Sequence, residues 1–161
     1  MKTMVKNIAG AAMVLAFAGC ASQPLTLSSV GPQPASTKQL SNLGGLQVYT
    51  DLETHQIGDS TYYYPHSSYE VYNSAGARVK IVENHRGPMD ENPTLVSIPA
   101  GHYTILGASA NYGNVRLPVT VEAGKTTVLH LDGNWKPAAG AHDQLVYFPN
   151  GEPIGWQSSM K

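Results

Sequence analysis

The chain has 161 residues, of which 42% are hydrophobic, 8% aromatic and only 13% charged. That length fits one compact domain with a tail and leaves no room for two full domains. One cysteine excludes an intrachain disulfide framework and a multi-thiolate zinc site. A formal charge of −1 argues against electrostatic nucleic-acid binding.

The chain opens with Lys2 and Lys6, continues through the apolar run Ile8 to Ala18, and reaches Gly19-Cys20. A positive flank followed by an apolar stretch too short to span a bilayer is the plan of a secretory signal peptide. Phe17-Ala18-Gly19-Cys20 resembles a bacterial lipobox, with Phe17 where Leu is usual. The resemblance implies cleavage after residue 19 and lipid modification of the Cys20 sulfur, which becomes the mature N-terminus. Several acyl chains would then hold the protein to the membrane more firmly than one. Ala21 and Ser22 lack the Asp that favours inner-membrane retention in enterobacterial lipoproteins, so the resemblance further implies an outer-membrane destination. A plain signal peptide cut elsewhere, or an uncleaved anchor, remains the other reading.

Residues 20–43 read as a tether rich in Ser, Gly and Pro. Leu25, Leu27 and Val30 suggest a short edge strand there, which Pro32 and Pro34 terminate. From residue 44 to 133 the pattern is short alternating runs separated by turn residues. Leu46 and Val48 alternate with polar neighbours, and Tyr62 to Tyr64 stops at Pro65. Tyr69 to Tyr72 and Arg78 to Val82 flank Asn73-Ser74-Ala75-Gly76 as a hairpin. Residues 84–93 form a polar loop, and strands follow at Thr94–Ile98 and Tyr103–Ala110. The clearest period of two sets Val115, Leu117, Val119 and Val121 against Asn114, Arg116, Pro118 and Thr120. Pro118 lacks a ladder donor, which predicts an edge strand or an unpaired flank. Thr127, Leu129 and Leu131 form the inward face of the next strand, after a turn at Glu122–Lys125. Residues 134–161 are a linker containing Trp135 and a hairpin turned by Asn150-Gly151, predicted to pack on the preceding strands. No window after Cys20 shows a helical period. Seven to nine short strands predict an all-β fold, a single antiparallel β-sandwich.

Val96-Ser97-Ile98-Pro99-Ala100-Gly101-His102-Tyr103-Thr104-Ile105, followed by Val119-Thr120-Val121-Glu122-Ala123-Gly124-Lys125-Thr126, is similar to prealbumin-like modules of the carboxypeptidase regulatory-like and PEGA types. The chain also resembles small bacterial envelope lipoproteins. These resemblances imply a sandwich over about residues 44–131 and a spacer, stabilising or binding role, with no catalytic residue to carry over.

The chemistry-bearing residues give no catalytic pattern. The six histidines (His55, His66, His85, His102, His130 and His142) lack the spacing of a metal site and read as scattered surface imidazoles. There is no Gly-x-Ser-x-Gly elbow, and Asp90-Glu91 reads as a solvated pair. The tyrosines are in excess, nine against two Phe, and either fill the core or present rings outward. The candidate binding surface comprises Asn84, His85, Arg86 and Asp90 of the polar loop with Tyr63 and Trp135. The expectation is therefore a non-catalytic structural or binding module of the cell envelope without cofactor or metal, partnered by the membrane and by an envelope protein or glycan. The alternatives are a carbohydrate-binding accessory domain, recognisable by a coplanar aromatic pair on an exposed face, and an envelope polysaccharide- or peptidoglycan-acting enzyme, recognisable by a cleft with converging titratable groups.

Overall fold

A computed structural model describes residues 25–33, 42–84 and 91–158. The fold is all-β. Twelve strands are present among the described residues: β1 (Val30–Gly31), β2 (Leu43–Tyr49), β3 (Glu53–Ile57), β4 (Ser60–Tyr64), β5 (Tyr69–Asn73), β6 (Arg78–Val82), β7 (Val96–Pro99), β8 (Gly101–Ser109), β9 (Gly113–Val121), β10 (Thr126–His130), β11 (Leu145–Tyr147) and β12 (Pro153–Gln157). A seven-stranded sheet in the order β11-β12-β1-β9-β8-β5-β6 faces a three-stranded sheet β10-β2-β7, and β3-β4 form a separate hairpin.

Alternation builds the core. Val115, Leu117, Val119 and Val121 of β9 and Ile105 of β8 meet Leu46 and Val48 of β2 and Leu129 of β10 in one buried cluster. Full burial of each such side chain contributes about 1.5–3 kcal/mol. The opposite face of β9 departs from the expected solvent side at Thr120, which is fully buried. Its hydroxyl meets Ser29 Oγ at 3.0 Å and His102 Nδ1 at 3.2 Å, and its carbonyl accepts from Thr127 Oγ1 at 2.8 Å. The segment before β1 supplies that cover.

The turns follow their residues. Between β5 and β6, Asn73 Oδ1 accepts from the Ala75 and Ala77 amides, and Gly76 takes a φ of +78°. Residues Glu122–Lys125 do something different from a hairpin. They carry the chain across the core, so β10 lies in the smaller sheet and pairs in parallel with β2, from Thr126 opposite Gly45 to His130 opposite Tyr49. Pro118 sits opposite Thr104 of β8, and β1 touches the other flank of β9 only at Val119.

The segment expected as tether is partly built into the sandwich. Val30 is completely buried, and Leu25 and Leu27 pack against the core. β1 sits between β12 and β9, and a bridge from Pro32 to Thr127 with a bond from the Gln33 amide to Thr126 O at 3.3 Å links it to β10. The C-terminal hairpin enters the sheet through β12, whose Gln157 and Trp156 stand opposite Val30 and Gly31.

At this seam Gly155 has no room for a side chain. A Cβ there would lie 2.7 Å from Val30 Cγ1 and 2.8 Å from Val128 O. Gly155→Ala is expected to lower stability by about 1–3 kcal/mol in urea unfolding, the range for overpacking a close contact. An unchanged midpoint would show that β12 and β10 do not approach so closely.

Candidate functional site

Three places position chemistry. The first is a buried polar cluster at the base of the 84–93 loop. Asn84 Nδ2 donates to Val48 O at 2.7 Å and to Thr50 Oγ1 at 3.0 Å, while its Oδ1 accepts from the Thr94 amide at 3.0 Å. Thr50 Oγ1 in turn donates to Ser67 O at 2.6 Å. His66 places Nδ1 2.9 Å from Thr50 O and Nε2 3.2 Å from Glu91 O. Both flanks of the loop are thus fastened to the end of β2. Asn84, read from sequence as part of a contact surface, is 2% exposed and its amide is committed to holding that base. His85, Arg86 and Asp90 lie outside the described residues.

The second is a row of rings outside the three-stranded sheet. Parallel pairing sets Tyr49 beside His130, and their rings stack with centroids 4.6 Å apart. Trp135 covers the other face of His130 at 4.5 Å and 12°. His66 meets Tyr49 edge-on, and Trp156 meets Trp135 at 6.5 Å and 63°. His66 and His130 are therefore not the surface imidazoles expected from sequence. Burial, reinforced by the nearby His66, pushes the His130 pKa down to about 4. Burial raises the Asp132 carboxyl above its usual range, against hydrogen bonds from the backbone and Asn134 that lower it. Its Oδ1 stands 3.9 Å from His130 Nδ1, too far for a hydrogen bond. Tyr49, His130 and Trp135 lie over one another, so they consume each other's faces and form no side-by-side platform.

The third is an open groove of about 320 Å³ along the seam, lined by Pro32, Gln33, Lys125, Trp156, Gln157 and Ser158, together with Asp143 and Gln144 from the 3-10 turn His142–Gln144. Trp156 is half-buried there and connects the groove to the row of rings. Of the residues nominated from sequence, the structure sets Trp135 at this row and Tyr63 elsewhere. Tyr63 is on β4 of the hairpin, 58% exposed, with Leu52, Ile57 and Tyr62 also exposed. The groove residues escaped the sequence reading, because nothing local links position 33 to positions 125, 144 and 156.

Among the described residues no group of three or more His, Cys, Asp or Glu is placed to hold a metal ion, and no helix is long and apolar enough to cross a membrane. Cys20 lies outside the described residues. No protein-family model, curated protein or solved structure matches the chain.

The buried imidazole sets a pH dependence. His130 titrates near 4 in the folded protein and near 6.5 when unfolded. Between those values the unfolded chain binds the extra proton, so the stability present above about pH 6.5 is lost as pH falls toward 4. Asp132 works in the opposite sense, since its raised folded pKa favours the folded state on acidification. His130→Phe keeps a ring in the stack and removes the proton. Melting temperatures of this variant between pH 7 and 4 are expected to fall less steeply than those of the unaltered chain. Parallel curves would contradict the assignment.

Proposed function

We propose that the chain is a bacterial envelope lipoprotein, held to the membrane by lipid on Cys20, that acts as a non-catalytic binding module. The groove beside Trp156 carries this reading. It is the place where an incompletely covered aromatic ring and several polar side chains converge on open space. Rigid strands hold it, since Trp156 lies on β12 and Gln33 follows β1 after Pro32.

The N-terminal geometry supports tethering near the bilayer. Cys20 and Leu25 are five peptide steps apart, a reach of at most about 18 Å. Because Leu25 already packs on the core, an acylated Cys20 would keep the sandwich close to the headgroups instead of on a long spacer. The Ala21-Ser22 pair supports an outer-membrane destination through its resemblance to sorting signals.

Two readouts on the same cells test the proposal. Intact-mass spectrometry is expected to show loss of residues 1–19 and added acyl mass, with the acyl mass absent in Cys20→Ser. Cleavage elsewhere with an unmodified Cys20 would refute the tether. A photo-reactive residue placed at Gln144 is expected to give covalent adducts in cells, whereas one at the remote exposed Ser74 gives none. Equal labelling at both positions, or at neither, would refute binding at the groove.

A further inference from the structure

Trp156 differs from the other rings of its row. His130 is covered on both faces and Tyr49 on one, whereas Trp156 touches Trp135 edge-on and has no ring stacked on it among the described residues. It borders a groove lined by three residues with primary amides, Gln33, Gln144 and Gln157. None of these amide side chains is hydrogen-bonded to another described residue, and each offers both donors and an acceptor.

Charge narrows the choice of ligand. Lys125 is the groove's one cation among the described residues, and its Nζ is already bound to Glu122 Oε2 at 2.6 Å. Asp143 adds a carboxylate to the lining. An anion would meet a neutralised ammonium and a repelling carboxylate, so phosphate-like ligands do not fit. Apolar ligands fit little better, because burying them would desolvate the glutamine amides without replacing their hydrogen bonds. A volume of about 320 Å³ is at the small end of ligand sites and admits a ring or a short chain end. The complement of an indole face surrounded by amides is a ring with one apolar face and hydroxyls on its perimeter.

We infer that the Trp156 groove binds an uncharged hexopyranose unit of an envelope glycan, its C–H face on the indole and its hydroxyls bonded to Gln33 and Gln144. This inference rests on the reading of the groove as a binding site and adds the chemical class of what it binds. Plain and N-acetylated hexoses share that chemistry, and the two arms of the test separate them.

The chain has two tryptophans, so Trp135→Phe leaves Trp156 as the lone indole reporter and keeps a ring over His130. Full-length Trp135→Phe protein in detergent micelles is titrated with maltotriose, with tri-N-acetylchitotriose and with inorganic phosphate while Trp156 emission is followed. Saturable change with one or both sugars, and none with phosphate, is expected. Adding Gln33→Ala and Gln144→Ala, both exposed positions, is expected to weaken that response about tenfold with an unchanged melting curve, equivalent to about 1.4 kcal/mol. Absence of any sugar response, a response to phosphate, or a sugar response undiminished by the glutamine changes would each overturn the inference. Adducts at Gln144 in cells together with silence toward both sugars would leave the binding module standing and remove its saccharide ligand. Silence in both experiments would remove both.

Discussion

The close approach of three backbones at one edge of the sandwich governs the rest of the structure. β1, β10 and β12 meet where Val30 is completely buried and Gly155 is flanked by Val30 Cγ1 and Val128 O. Glycine suits that position because a Cβ there would press on Val30 and on the Val128 carbonyl and force one of them to shift. The contact joins the seven-stranded sheet to the smaller one through Pro32 and Thr127, covers Thr120, and leaves Trp156 at the mouth of the groove. The proposed ligand site is therefore a consequence of how the sandwich closes, built from segments far apart in the chain.

Closure also accounts for the N-terminal segment. Leu25, Leu27 and Val30 bring apolar side chains at a spacing of two to three residues, enough to suggest a short edge strand, and the strand lies inside the sheet between β12 and β9. Pro32 follows β1 and ends it after two residues without preventing its burial. A lipid on Cys20 would then draw the whole sandwich toward the bilayer, and whatever the groove binds would have to lie within reach of that surface.

Much of the fold was legible in local pattern. The alternation in β9, the Asn73–Gly76 turn and the Asn150-Gly151 turn each express constraints contained in a few adjacent residues. The partnering of strands was not. Glu122–Lys125 reads as an ordinary turn, yet it changes sheets and sets β10 parallel to β2, because side-chain period does not say which strand lies alongside. β3 was missed although Gly58-Asp59 is a Gly-first two-residue loop, since Glu53–Ile57 has little apolar character of its own. The tyrosine excess divides between both readings: Tyr69 is buried in the core, and Tyr62 and Tyr63 stand outward on the β3-β4 hairpin. Asn84 and His66 look like surface residues from sequence, and become buried because carbonyls of distant segments meet them. Among the described candidate residues, Trp135 alone lay near the groove, through its contact with Trp156, and Trp156 was hidden inside a hairpin reading. At the opposite sheet edge the exposed β6 strand carries Arg78 and Lys80, charges that discourage edge-to-edge pairing. There Arg78 bonds Glu70 at 2.9 Å, and the Tyr72 hydroxyl, ahead of Arg78, holds that carboxyl below its usual range.

Amide hydrogen exchange on the full chain measures the closure directly. The Gln33 amide bonds to Thr126 O and the Ser158 amide to Ser29 O, and neither bond exists unless the N-terminal segment is locked into the seam. The account predicts that both amides exchange with protection comparable to those of β8 and β9, opening only with the sandwich as a whole. Exchange of these two amides at the rate of an unfolded chain, with β8 and β9 still protected, would contradict it.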